Sequence, residues 1–95
     1  MTAEVELHSL LAAFKERMRI FHDGEDANLS RMLESSEQAI FKTVGTTNHS
    51  PRVRELILER ARYAYNDQVE FFYQNFQGDL MALSLENYKS EEIDD

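Results

Sequence analysis

The chain has 95 residues, enough for one domain, and its 42% hydrophobic and 29% charged residues are typical of a folded globular protein. It contains no cysteine, which excludes disulfide bonds and thiolate metal sites. The formal net charge of −8 argues against binding nucleic acid by neutralising phosphates, because that mode requires an excess of lysine and arginine.

Charge is distributed unevenly along the chain. Residues 86–95 hold five acids and one base, so half of the negative excess lies in these ten residues. Residues 52–62 hold four arginines and two glutamates and are therefore net positive. The end of the chain is predicted to be an acidic tail, flexible over 90–95, that follows a single helical domain over 1–89.

The first predicted helix covers residues 2–21 and begins at Thr2, a residue type that caps helices well. Its apolar residues recur at alternating spacings of four and three, which indicates one buried helix face. The members of this face are Leu7, Leu11, Phe14, Met18 and Phe21. The sequence HDGED at 22–26 is predicted to end this helix.

The second predicted helix is capped by Asp23 and runs to Val44, and Gly45 follows it in the usual position of a C-terminal glycine. Its predicted buried residues again follow helical spacing. They are Leu29, Met32, Leu33, Ser36, Ile40 and Val44.

Ser50 followed by Pro51 predicts the start of a third helix, because serine caps helices and proline is favoured at the first helical position. This helix is predicted to run to Phe76 without interruption. A break is predicted at 77–78, followed by a short helix over 80–88. The predicted fold is an all-α bundle of three main helices, one of them long and central, plus a short C-terminal helix and the acidic tail.

The residue types that carry catalysis or bind metals form no recognised pattern in the sequence. The three histidines lack the spacing to one another and to glutamate that metal-binding helices show, and are predicted to be exposed polar residues; they are His8, His22 and His49. Two glutamate pairs at helical spacing are predicted to be solvated: Glu34 with Glu37, and Glu55 with Glu59. The chain has no glycine-rich phosphate loop and no nucleophile elbow. The sequence therefore predicts no catalytic residue, no cofactor, no metal site and no enzyme activity.

The third predicted helix is apolar on more than one side, over the sequence LILERARYAYNDQVEFFYQNF at 56–76. One explanation is a central helix that all the other helices surround. The other is that a second chain covers part of the helix, because large exposed apolar patches usually mark interfaces. We predict contact between subunits here, and the residues expected to make it are Arg52, Arg54, Arg62, Tyr63, Tyr65, Phe72, Tyr73 and Phe76.

Arg52 and Arg54 lie in the first turn of this helix, where cations oppose the helix dipole. An anionic group nearby would offset that cost. The acidic tail, a neighbouring subunit and a partner protein are the candidates, although exposed arginines need no partner there, because the cost is a few tenths of a kcal/mol.

Two stretches of the sequence resemble the head–tail connector family of tailed phages, whose members are also called adaptor or head-completion proteins. The first consists of FKERMRI and DGEDANLSRMLESSEQAIFKTVG, within residues 14–45. The second is RVRELILERARYAYNDQVEFF at 52–72. The resemblance extends over about residues 7–85 and is one of spacing and residue character, without a catalytic signature.

The resemblance implies a structural protein that has no enzyme activity and needs no cofactor. Family members form a ring, commonly of twelve subunits, that docks beneath the portal protein and extends the DNA channel. The ring presents a surface to the next head-completion (stopper) or tail protein, so the expected location is the head–tail junction of the virion, after assembly in the host cytoplasm. DNA would pass without specific binding, which suits a negative chain. The residues expected to dock on the portal are Leu80, Met81, Leu83, Leu85, Tyr88, Glu91 and Glu92.

Two other functions are compatible with the sequence. A net charge of −8 would suit a small inhibitor that mimics DNA and occupies a basic groove, although half of the excess lies in a predicted tail rather than in ordered rows. The apolar third helix would also suit a helical regulator that binds another protein.

Overall fold

The computed structural model describes residues 7–93, with side chains described as far as residue 88. Within this range every regular element is an α-helix, and there are five: α1 Leu11–Met18, α2 Asp26–Val44, α3 Pro51–Tyr65, α4 Val69–Asn75 and α5 Gln77–Ile93. The prediction of an all-α domain is confirmed. The predicted number of helices is wrong, because the third predicted helix is two helices.

The helices α2 and α3 pack against each other at the centre of the molecule. α1 contacts both of them, α5 packs on α2, and α4 contacts α3 and α5. The shortest dimension, 18 Å, corresponds to two layers of helices of about 10 Å each. The apolar side chains that lose almost all contact with water come from α1 to α4: Phe14, Leu29, Leu33, Ile40, Val44, Val53, Ile57, Ala61 and Phe72.

The helix α2 shows the predicted buried face. Five of its six predicted members are fully buried and Met32 is half-buried. The helix ends as predicted at Gly45, which has φ +77° and donates its amide to the Phe41 carbonyl at 2.8 Å. The start of α3 is also confirmed, since the Ser50 hydroxyl accepts the Val53 amide at 3.2 Å.

The left-handed backbone of Gly45 leads to a stability prediction with an internal control. Gly45→Ala should lower the free energy of unfolding by about 1 kcal/mol, because an L side chain is strained at this φ. Gly78→Ala should raise it by about 0.5–1 kcal/mol, because Gly78 lies inside α5 with open space around it. Urea denaturation of both variants tests the pair, and changes of the same sign would contradict the assignment.

The helix α1 is shorter than predicted at both ends. Arg19 has φ 60°, and the amides of Arg19 and Ile20 bond back to the carbonyls of Glu16 and Lys15, a Schellman-type stop. No glycine marks this stop, and for this reason the sequence pattern did not reveal it.

Leu7 and Phe21, predicted to belong to the buried face of the first helix, lie outside α1 and are 54% and 86% exposed. That part of the prediction is wrong. On the N-terminal side the His8 imidazole accepts the Leu10 amide at 3.0 Å, a local bond that competes with helical bonding. The predicted cap at Thr2 lies outside the described residues.

The predicted cap of the second helix at Asp23 is also wrong. The helix α2 begins after Glu25, without a side-chain cap. The Asp23 carboxylate instead accepts a hydrogen bond from Lys15 Nζ at 2.9 Å, and Asp26 accepts one from the same Nζ at 2.7 Å. Lys15 therefore ties the end of α1 to the start of α2.

The long third helix predicted over 51–76 is interrupted after Tyr65. Asp67 adopts φ 59°, and the Gln68 amide donates to the Tyr63 carbonyl at 2.8 Å, which closes α3. Asparagine and aspartate tolerate the left-handed conformation better than other residues with a Cβ, so the pair at 66–67 can stop a helix without glycine or proline. The chain then turns and α4 packs on α3.

The helix α5 is longer than the predicted short helix over 80–88. It begins at Gln77, with Phe76 alone between it and the end of α4, and continues to Ile93. Gly78, predicted to break the chain, lies inside it. The helical backbone therefore includes residues 90–93 of the predicted tail, and the flexibility proposed for 90–95 stays a prediction.

Candidate protein-interaction surface

The outer face of α5 carries three large apolar side chains that the rest of the chain leaves uncovered. Met81, Leu85 and Tyr88 are 56%, 57% and 61% exposed. Their spacings of four and three place them in one row along the helix. Leu80 and Leu83 point the other way and are buried against the core. The helix α5 is therefore apolar on two sides, and in the described part of the chain only the side with Leu80 and Leu83 is buried against the core. We call Met81, Leu85 and Tyr88 the α5 stripe.

A groove of about 600 Å³ adjoins the α5 stripe. Its walls come from the C-terminal end of α2, from α4 and from α5, and include Thr43, Tyr73, Gln74, Met81 and Leu85. None of the described residues that line the groove carries a formal charge, although the chain has 18 acidic residues and 10 lysines and arginines. An uncharged, mainly apolar groove beside an exposed apolar row has the character of a protein-binding surface.

The residues predicted to dock on the portal divide into three groups. Leu80 and Leu83 hold α5 onto the core, so their side chains are not available to a partner. The α5 stripe contains the exposed members of the prediction. The side chains of the remaining two, Glu91 and Glu92, lie outside what the structure describes.

The aromatic residues predicted to contact another subunit form a cluster within the chain. Phe72 is 0% exposed and lies 5.8 Å from Tyr63 and 5.0 Å from Phe76 between ring centroids. Tyr65 packs edge-on against Phe14 at 6.5 Å, and Tyr73 lies 5.2 Å from Phe72. Phe72 is therefore a core residue, which corrects its assignment to the interface. The other four predicted aromatics are half-buried against this core.

Two of the three predicted interface arginines pair with acids of the same chain. Arg52 contacts Glu86 of α5 at 2.9 Å, and both side chains are more than half exposed. This carboxylate is the anionic neighbour expected near the first turn of α3. Arg62 contacts Glu59 at 2.7 Å, one turn before it in α3. Arg54 is exposed.

Arg17 of α1 joins the two glutamates predicted to be solvated on α3. Its guanidinium contacts both oxygens of Glu55 at 2.9 Å and Glu59 Oε2 at 2.6 Å. These hydrogen bonds lower the pKa of Glu55 against the opposing effect of burial. Burial raises the pKa of Glu59, but the hydrogen bonds from Arg62 and Arg17 outweigh it and the net pKa is lowered.

Because the pKa values of the Glu55 and Glu59 carboxyls are lowered in the folded chain, the fold should lose stability in acid. Stabilisation by a carboxylate whose folded-state pKa is depressed is complete above the unfolded pKa of about 4.3 and is lost as the pH falls through the folded pKa. Arg17→Met should therefore lower the free energy of unfolding by about 1 kcal/mol at pH 7 and should reduce its decline below pH 4.3. Denaturation between pH 3 and pH 7 measures both effects. Arg54→Met is the control, and an equal response in that variant would contradict the role of the network.

A cluster of polar residues joins three parts of the chain: the segment before α1, the helix α2 and the loop before α3. The sequence pattern did not reveal this cluster. His8 Nε2 donates to Glu37 Oε1 at 2.8 Å, and His49 Nε2 contacts the other oxygen of Glu37. The His8 side chain is 6% exposed, so the prediction that it is an exposed polar residue is wrong. Glu34, one turn before Glu37, lies beside them. Twenty-nine residues separate His8 from Glu37, and no local spacing signals such a contact.

Glu37 is the acidic centre of this cluster. Burial raises the pKa of its carboxyl, but the hydrogen bonds from His8 and His49 outweigh that effect, and the net pKa is lowered. Glu37 is therefore ionised at neutral pH. The carboxylate links three segments that are distant in the sequence, and it fixes the path of the chain into α1.

Comparison of the chain with protein-family models, with curated proteins and with solved structures gave no significant match. In the part of the chain that the structure describes, no helix combines the length and the apolar composition needed to cross a bilayer.

Proposed function

We propose that this chain is a structural head–tail connector of a tailed phage or prophage, which assembles as a ring beneath the portal and acts by binding other proteins. The α5 stripe is the observation that carries the proposal. Three large apolar side chains in one row, each more than half exposed, are costly on a soluble acidic domain unless a partner covers them. Methionine and tyrosine are also enriched in protein interfaces.

The proposed partner at the α5 stripe is the portal protein, as the resemblance to the connector family implies. The adjoining groove offers an uncharged surface next to the stripe, so docking there would not desolvate an unpaired charge. Since Phe72 is buried and the other predicted aromatics are half-buried, contacts between ring subunits would use their remaining exposed edges together with Arg54. No catalytic residue, enzyme activity or cofactor belongs to this proposal.

The net negative charge of the chain is compatible with a role in lining a DNA channel. A surface with net charge −8 repels a duplex, so DNA can move through a ring of such subunits without binding. The DNA-mimic alternative is less well supported, because several acids are engaged by bases of the same chain. Glu55, Glu59 and Glu86 all contact arginines within 3 Å. A mimic needs its carboxylates free and regularly spaced.

Sedimentation of the chain with purified portal rings of the same genome tests the proposal. In buffer containing 150 mM salt, the chain should move with the portal ring, and an unrelated acidic helical protein of similar mass should not. The bound mass should correspond to a whole ring of subunits. A chain that stays at its free sedimentation rate at every concentration of portal would overturn the proposal. Self-association of the free chain is not required, because a connector can assemble on its partner.

A further inference from the structure

We infer that His8, Glu34 and Glu37 form a binding site for a divalent cation of the zinc class. One imidazole nitrogen and one oxygen from each carboxylate lie within 4.8 Å of one another. Glu34 and Glu37 are three residues apart on α2, so their side chains leave the helix in nearly the same direction. His8 approaches from the segment before α1. This inference is independent of the connector proposal.

The distances are close to those of an occupied site. Ligand atoms bound to zinc at about 2.0–2.2 Å lie roughly 3.4 Å apart in a tetrahedral arrangement. His8 Nε2 and Glu37 Oε1 lie 2.8 Å apart, and the widest separation in the set is at most 4.8 Å. A movement of about 1 Å at Glu34, with a smaller opening of the His8–Glu37 pair, would therefore form the site. Glu34 can supply that movement, because its side chain is exposed and its described hydrogen bond is to Gln38 on the same helix. The other two ligands are held more firmly.

His8 and Glu37 are fixed by their surroundings. The side chains of His8 and Glu37 are 6% and 15% exposed. The His8 amide donates to the Ser30 hydroxyl at 3.0 Å, which anchors the backbone at this ligand. His49 contacts Glu37 Oε2, while Oε1 faces His8 and would bind the ion in place of the His8 proton that it accepts in the empty site. Metal-binding carboxylates usually have such an outer hydrogen bond, because it orients the carboxylate.

The proton on His8 has to move when an ion binds. His8 Nδ1 accepts the Leu10 amide at 3.0 Å, so in the empty site the proton is on Nε2, which donates to Glu37. An ion bound at Nε2 requires the other tautomer, with the proton on Nδ1. The Leu10 amide then loses its acceptor. Two hydrogen bonds are lost, from the Leu10 amide to His8 and from His8 to Glu37, and bonds from three ligands to the ion are gained. The change at Leu10 gives the site a specific spectroscopic signature.

The chemistry of the donors selects the class of ion. One imidazole and two carboxylates suit zinc, cobalt or manganese, whereas magnesium and calcium prefer oxygen ligands alone. Two carboxylates would compensate the charge of a divalent ion. A cavity of about 500 Å³ opens beside the three ligands, and water from it could complete the coordination. Besides His8, Arg31 is the one basic side chain among the described residues that line this cavity, and its positive charge would lower the affinity for a cation.

Calorimetric titration of the EDTA-treated full chain with zinc chloride tests the site. We expect one ion per chain, with at least about 10-fold weaker binding for Glu34→Gln and for His8→Asn. Glu34→Gln should fold normally because Glu34 is exposed, so it keeps the test valid if His8→Asn disturbs the fold. His22→Asn and Glu70→Gln replace exposed residues outside the cluster and should bind zinc like the unmodified chain. A large excess of magnesium should not compete.

Proton–nitrogen correlation spectra locate the ion independently. Zinc should shift the Leu10 amide and the His8 ring signals together, because the tautomer change removes the bond between them. The inference would be overturned if zinc left both signals unmoved, if the controls lost as much affinity as the cluster variants, or if folded Glu34→Gln bound zinc unchanged.

Discussion

Phe72→Ala is expected to lower the free energy of unfolding by about 3–5 kcal/mol, which is a large part of the total stability of a domain of this size. The Phe72 ring has no exposed surface and stacks on Phe76 with centroids 5.0 Å apart. It is also the one buried residue of α4, a helix of only seven residues. Removal of the ring would leave a cavity and detach α4 from α3. Urea denaturation followed by circular dichroism measures the change.

The neighbouring residue provides the matched control. Phe71 precedes Phe72 in α4 and is 46% exposed. Phe71→Ala removes the same atoms but little buried surface, so it should cost less than about 1 kcal/mol. Equal losses in the two variants would mean that α4 does not pack through Phe72 as described.

The second large effect is expected in binding rather than in folding. Met81→Asp combined with Leu85→Asp should weaken binding to portal rings by about 100- to 1,000-fold, or roughly 3–4 kcal/mol. Both side chains are more than half exposed in the free chain, so the variant should fold normally. In the bound state, each new carboxylate would be buried against an apolar partner surface without a counter-charge. Sedimentation or surface-immobilised portal rings can measure the affinity.

A control must add the same charge elsewhere, because the chain is already acidic. Ala12→Asp combined with Ala13→Asp adds two carboxylates at exposed positions of α1. This variant should bind portal rings within a few-fold of the unmodified chain. If it lost affinity to the same extent, net charge rather than the α5 stripe would govern binding, and the assignment of the docking surface would be wrong.

Much of the fold could be predicted from the sequence where the signals are local. The buried face of α2, the glycine after it and the serine–proline start of α3 all depend on residues within a few positions of one another, and all three are confirmed. The ends of α1 and α3 were missed because Arg19 and Asp67 stop helices in a left-handed conformation without glycine. Whether such residues adopt that conformation is decided by packing, which a local pattern does not contain.

The unpredicted turn at Asp67 also explains why the sequence pattern indicates a subunit interface on the third predicted helix. A continuous helix over 51–76 leaves aromatic residues on several sides, which favours a second chain as their cover. The turn at Asp67 brings α4 back, and Phe72 enters the chain's own core. The row of three exposed apolar side chains lies instead on α5, and it belongs to the predicted portal-docking residues. The polar cluster around Glu37 joins three distant segments, so only the folded chain reveals it.

Electron cryomicroscopy of portal rings mixed with the chain can show directly whether the chain docks through the α5 stripe. We expect a closed ring of subunits beneath the portal, with Met81, Leu85 and Tyr88 of each subunit buried against portal side chains. The acidic surface of the ring should face the DNA channel. A complex in which the α5 stripe stays exposed to solvent, or portal rings that carry no added density at all, would contradict it.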